Sequence, residues 1–173
     1  MKYALLGIGQ AGLRHYEAFK KIRRLKFIGF TEFDKKKAIN FSHKNNVKHY
    51  KNLKDIINLK PDFIIIALPH SFRLEEIKLC SINNINLIIE KPLALNSTQL
   101  KLIEKYIYKK KLIHTISFVH RYRKEVLKSK NFIINNYIGK IKFISEMMIS
   151  QKNALLPKWI DDKKKIWWRC FVV

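Results

Sequence analysis

Three glycines, two acids and a lysine carry the chemistry that can be read from this sequence. Gly7, Gly9 and Gly12 fall in the string Gly7-Ile8-Gly9-Gln10-Ala11-Gly12, directly after a short apolar run and at the start of a helical stretch. In that context Gly7 permits a tight turn, Gly9 lets the backbone approach a pyrophosphate where a Cβ would intrude, and Gly12 lets the helix sit against the strand. Backbone N–H groups and the positive end of the helix dipole then face the phosphates. Glu32 follows 20 residues after Gly12, at the end of a second predicted strand, where a carboxylate accepts hydrogen bonds from ribose hydroxyls. The same carboxylate repels the extra phosphate of NADP, so the spacing predicts NAD. Lys35 and Lys36 lie close enough in sequence to soften that exclusion and leave NADP possible. Taken singly, the glycines read as a strand-to-helix turn and Glu32 as a solvated loop acid. Strand, triplet, helix and acid in register favour the cofactor.

Two further strings follow apolar runs: Leu68, Pro69 and His70 within ALPHSF, and Glu90, Lys91 and Pro92 within EKPLAL. Ligands of open α/β sheets bind beyond the carboxyl ends of the strands, where these strings converge with Gly7 to Gly12.

The elements that must position these residues alternate along the chain. Strands are predicted at 2–6, 26–31, 47–50, 62–68, 86–90 and 112–118, from apolar and β-branched runs. Helices are predicted at about 10–24, 34–45, 52–58, 72–83 and 97–110, the last capped within Asn96-Ser97-Thr98. Such alternation with right-handed crossovers gives an α/β fold, a Rossmann doubly wound parallel sheet. Residues 1–118 form the expected NAD(P)-binding domain. Residues 119–173 read as the start of an α+β substrate and oligomerisation domain. It begins with a helical or irregular segment through Asn136, turns at Gly139, and runs on as one long strand over 140–150.

Composition bounds the rest. The 173 residues are 47% hydrophobic, enough for one full domain and part of another. No run of about 18 apolar residues could span a bilayer, and the N-terminus runs into the glycine motif where a signal peptide would have its cleavage region. A soluble cytoplasmic protein without a membrane partner is expected. Cys80 and Cys170 form no CxxC pair and read as reduced thiols. The net charge of +23 invites a nucleic-acid reading, but the lysines recur in almost every segment instead of one stripe, and no nucleic-acid-binding signature accompanies them. Nonspecific binding of polyanions at low salt is expected of such a surface; a specific nucleic-acid partner is not. The histidines lack metal-ligand spacing, and no metal is expected.

With His15 completing GxGxxGxxH, and with ALPHSF at 67–72 and EKPLAL at 90–95, the chain resembles the glucose-fructose oxidoreductase, inositol dehydrogenase and rhizopine-catabolism (Gfo/Idh/MocA) family of NAD(P)-dependent oxidoreductases over nearly its whole length. The resemblance implies that Lys91 lies beside the nicotinamide and the substrate. There an ammonium can polarise the oxygen of the carbon that exchanges hydride. It implies that Pro92 fixes the turn aiming Lys91, with a cis peptide bond by analogy, and that His120, Arg121 and Tyr122 enter the substrate domain. Two positions depart from the family. Arg73 stands where the family has a substrate histidine, and His70 where it usually has asparagine, so His70 reads as a wall of the cofactor pocket. His15 reads as packing.

Trp167, Trp168 and Arg169 resemble the lead-in to a glycine-rich stretch and the aspartate and histidine of the family's general-base motif, which this sequence does not contain. The expectation is a shortened dehydrogenase with weak or no turnover. Its complete form would move a hydride between NAD and a secondary alcohol of a sugar, nucleotide sugar or cyclitol, as a homo-oligomer. The alternatives are a non-catalytic NAD-binding module and, least favoured, a nucleic-acid-binding protein.

Overall fold

The computed structural model describes residues 1–145 and Met147. Its chain alternates strand and helix: β1 (Lys2–Leu6), α1 (Gln10–Phe19), β2 (Lys26–Thr31), α2 (Lys35–Asn45), β3 (His49–Tyr50), α3 (Leu53–Ile57), β4 (Phe63–Ile66), a 3-10 turn (His70–Phe72), α4 (Arg73–Ile82), β5 (Asn86–Ile89), α5 (Ser97–Lys109) and β6 (His114–Ile116). The strands form one six-stranded sheet in the order β3-β2-β1-β4-β5-β6, with every pairing parallel. The order reverses between β1 and β4, and that switch point opens a crevice at the strands' carboxyl ends.

Side chains alternate across the sheet with the period of two that a strand imposes. Ala4, Leu6, Ile64 and Ile66 point to one face, where α3, α4 and α5 cover them with Leu53, Ile56, Ile77, Ile103 and Ile107. Tyr3, Leu5, Phe63 and Ile65 point to the other, under Tyr16 of α1 and Ala38 and Phe41 of α2. Both faces are covered, which is why β4 is four consecutive buried apolar residues and not an alternating string. Helix starts follow the polar residues before them. The side chains of Asp34, Asn52 and Asn96 accept from the amides of Lys37, Asp55 and Gln99, each satisfying one donor that a helix start leaves over.

Several boundaries differ from the sequence expectation. The helix predicted over 10–24 ends at Phe19, where the backbone passes into turns: the Ile22 amide donates to the Phe19 carbonyl and the Leu25 amide to the Ile22 carbonyl. The chain then turns so that the Lys26 amide reaches the Met1 carbonyl at 2.8 Å and β2 can begin. The strand predicted over 112–118 shrinks to His114–Ile116, since Lys111 at φ +50° and Leu112, bonded back to Ile107, form the exit from α5. The long strand predicted over 140–150 is not formed at 140–145, which carry no regular structure; 146 and 148–150 lie outside the described residues.

The chain divides into two compact units, Met1–Ser117 and a second from Phe118 onward. Within the second, a 3-10 turn at Val119–Tyr122 precedes α6 (Lys124–Ile134), so the segment left open between helical and irregular is helical. Cys80 is a buried free thiol whose pKa is pushed up by burial; Cys170 and the Trp167-Trp168-Arg169 string lie outside the described residues. Among the described residues, no helix is long and apolar enough to cross a membrane.

Candidate dinucleotide site

The first βα crossing is built by two glycines that nothing else could replace. Gly7 sits at φ +86°, a backbone conformation that L side chains rarely adopt, and a Cβ on Gly12 would lie 2.0 Å from the Gly7 carbonyl oxygen. The close approach of α1 to the end of β1 depends on both. Gly9 differs: a Cβ there meets nothing within 4 Å. The fold itself therefore does not demand glycine at that position. Gly9 is the N-cap of α1, with no side-chain cap and no acid in the first turn, so no residue of α1 itself offsets the positive end of its dipole. Ile8 is buried, Ala11 half-buried and Gln10 exposed where the helix opens.

Glu32 turns into this crossing. Its Oε2 accepts from the Ile8 amide at 3.0 Å, and its Oε1 accepts from Phe33 and Asp34 at 2.8 and 3.1 Å. Three amides fix the carboxylate and leave part of its acceptor capacity. Beside it Phe33 and Phe72, both exposed, bring their rings to 5.9 Å centroid separation.

The strand tips are tied in sequence across the sheet. Amides of Gly7, Ala67, Glu90 and Ser117 donate to carbonyls of Thr31, Leu6, Ile66 and Ile89, which brings the glycine turn, the Leu68–His70 loop and the Glu90–Pro92 loop to one edge. Leu68 and His70 are buried and Pro69 is half-buried. Glu90 is held from α1: His15 Nε2 lies 2.8 Å from its Oε1, with both side chains nearly covered at 13% and 12% exposure. Ser117 Oγ lies 3.5 Å from the same ring nitrogen, and the Lys91 amide donates to Glu90 Oε2 at 3.2 Å. Burial pushes the Glu90 carboxyl up, but the His15 hydrogen bond and charge, the Lys91 amide and the Arg73 charge outweigh it. Together they hold the group below the ordinary carboxylate range.

Lys91 itself is exposed, with no ion pair among the described residues. The Lys91–Pro92 peptide bond is cis, as the resemblance implies.

Arg73 is the largest departure from the sequence reading. It is 4% exposed and donates through Nε to the Leu68 carbonyl at 2.7 Å and through Nη1 to the carbonyls of Glu90 and Pro92. Burial lowers its pKa to about 10, with Glu90 opposing the shift. A signal for this was present in the sequence: Arg73, Ile77 and Cys80 are spaced four and three apart, so a guanidinium falls on the apolar face of α4. The His15–Glu90 pair and the Phe33–Phe72 pair had no such signal, because their partners are far apart in sequence. A cavity of about 310 Å³ between α4 and α5, lined by Ser81, Tyr106 and three lysines among others, contains none of these residues.

A glycine turn at a helix start, an acid on the adjoining strand tip and a parallel sheet reversing between β1 and β4 define a dinucleotide-binding Rossmann domain. More specifically, the chain belongs to the Gfo/Idh/MocA oxidoreductase family, described as an oxidoreductase family with an NAD-binding Rossmann fold, whose match covers residues 1–118. Its cofactor is NAD.

Among solved structures it is similar to myo-inositol 2-dehydrogenase from Lactobacillus plantarum, with 28% identity and a TM-score of 0.76 over 82% of this chain and 43% of that one. Apo scyllo-inositol dehydrogenase from Lactobacillus casei matches at 20% identity and a TM-score of 0.75, covering 80% and 42%. The WlbA dehydrogenase from Bordetella pertussis, in complex with NADH and UDP-GlcNAcA, matches at 15% and 0.73, covering 80% and 43%. At those identities the last two share the fold alone. The chain thus spans about two fifths of the length of these structures. No curated protein matches it.

Proposed function

We propose that Gly7, Ile8, Gly9, Gln10, Ala11 and Gly12 cradle the pyrophosphate of NAD, that Glu32 binds the adenine-side ribose, and that Leu68, Pro69, His70, Glu90, Lys91 and Pro92 line the nicotinamide side. The observation that carries this reading is the 3.0 Å hydrogen bond from the Ile8 amide to Glu32. It draws the acid to the glycine turn instead of outward. Gly9 supports it independently, because open space around a virtual Cβ leaves a close-packed ligand as the reason for glycine there. Phe33 and Phe72 offer an apolar surface for the adenine.

Bound NAD supplies the hydride acceptor. Lys91, solvent-exposed at the end of β5, would polarise the oxygen of a secondary alcohol, and in the complete protein a general base would take the hydroxyl proton. That domain begins at about residue 119. The substrate class is a sugar, nucleotide sugar or cyclitol, and the complete protein works as a homo-oligomer. A buried reduced thiol at Cys80 fits a cytoplasmic setting.

Differential scanning with NAD and NADP tests the reading. At about one hundred times the dissociation constant a ligand stabilises by roughly 2.7 kcal/mol, so NAD should raise the melting midpoint visibly and NADP less. No shift with either at millimolar concentration would refute it. Glu32→Ala should abolish the preference for NAD, and sugar-dependent NADH formation reports turnover.

A further inference from the structure

Arg73 occupies a position that fold stability alone does not explain. Its guanidinium is buried, and burying a cation is costly enough that an apolar side chain of similar volume often serves stability as well. What an apolar side chain could not do is grip two loops at once. Arg73 donates to Leu68 in the loop after β4 and to Glu90 and Pro92 in the loop after β5. These carbonyls bracket Lys91 on both sides. The direction of the ligand follows from the sheet: with the adenine-side ribose at the tip of β2 and the pyrophosphate over β1, the other half of a dinucleotide must run away from β2, across the tips of β4 and β5.

We propose that Arg73 is a positioning residue for the nicotinamide half of the site, setting the spacing between the Leu68–His70 loop and the Glu90–Pro92 loop. The inference rests on the NAD placement given above. It makes a division that a general structural role does not: the nicotinamide half depends on Arg73, and the adenine half does not.

The test compares NADH and ADP binding to the purified chain and to Arg73→Lys and Arg73→Gln, by calorimetry below each variant's melting midpoint. Arg73→Gln should weaken NADH at least tenfold and ADP less than twofold. Arg73→Lys, which keeps the cation but lacks the planar fork of donors, should fall between. NADH fluorescence on binding should lose its enhancement in step. Should either variant fail to fold, the wild-type Arg73 Nε–H resonance serves instead, shifting with NADH and staying fixed with ADP.

Equal weakening of both ligands, no weakening of either, or a resonance that responds equally to both would overturn the proposal. Failure of the wild type to bind NADH while ADP binds would also overturn it, leaving the adenine half of the NAD placement standing. Failure to bind either ligand would remove the NAD placement itself, and the inference with it.

Discussion

At the scale of single residues, Gly9 and Gly12 look alike in the sequence and are held there by different forces. Gly12 answers to the fold: its virtual Cβ collides with backbone at 2.0 Å, so Gly12→Ala should destabilise by about 2 kcal/mol or more, in the range of overpacked sites. Under the proposed NAD placement, Gly9 answers to the ligand. Gly9→Ala should cost at most about 1 kcal/mol, the loss expected at an N-cap, while weakening NADH binding at least tenfold. Thermal melts with parallel NADH titrations separate the two; equal effects on stability would refute the distinction. Glu90 gives a pH prediction. Its folded pKa is depressed, so its contribution is fully present above the unfolded value of about 4.3 and is lost as pH falls through the folded value. Glu90→Gln should therefore be less stable than wild type at pH 7, with the gap closing below about pH 4. Urea melts between pH 3 and 7 would show this, and a gap that widens on acidification would contradict it.

At the scale of elements, the strands and helices were legible because both faces of the sheet are covered and α2, α3 and α5 begin at the polar caps Asp34, Asn52 and Asn96. Their ends were less so. The stop of α1 at Phe19 falls where turn hydrogen bonds from Ile22 to Phe19 and from Leu25 to Ile22 lead the chain into β2, and the trimming of β6 follows from the way α5 exits. The aromatic packing under α1 was equally hidden. Tyr3 on β1 is 1% exposed, its ring stacked on Phe63 at 5.6 Å and tilted against Phe19 and Phe27. Its hydroxyl has no hydrogen-bond partner among the described residues, and burial, followed by the neighbouring Tyr16, pushes its pKa up to about 12. A buried unsatisfied hydroxyl costs about 1–3 kcal/mol. Tyr3→Phe should accordingly stabilise the chain by about 1 kcal/mol, raising the melting midpoint by roughly 2–4 °C. A lower midpoint would mean that the hydroxyl is bonded in solution.

At the scale of the whole molecule, the charge of +23 sets how the protein meets anions. Binding to duplex DNA or heparin should be detectable near 50 mM salt and fall by orders of magnitude by 200 mM, without sequence preference, because counterion release drives it. NADH affinity should change far less over the same range, since a dinucleotide brings two phosphate charges where a polyanion releases many counterions. A salt-resistant, sequence-specific DNA complex would reverse that assignment.

The sequence by itself determined the doubly wound order and the glycine-acid register, because βαβ periodicity and the phosphate turn are local patterns written within about thirty residues. Only the tertiary structure decided that Arg73 spans two loops and that His15 meets Glu90. Those contacts join residues 17 and 19 apart in one case and 75 in the other, and they exist only once the parallel sheet has brought the tips of β1, β4 and β5 to one edge.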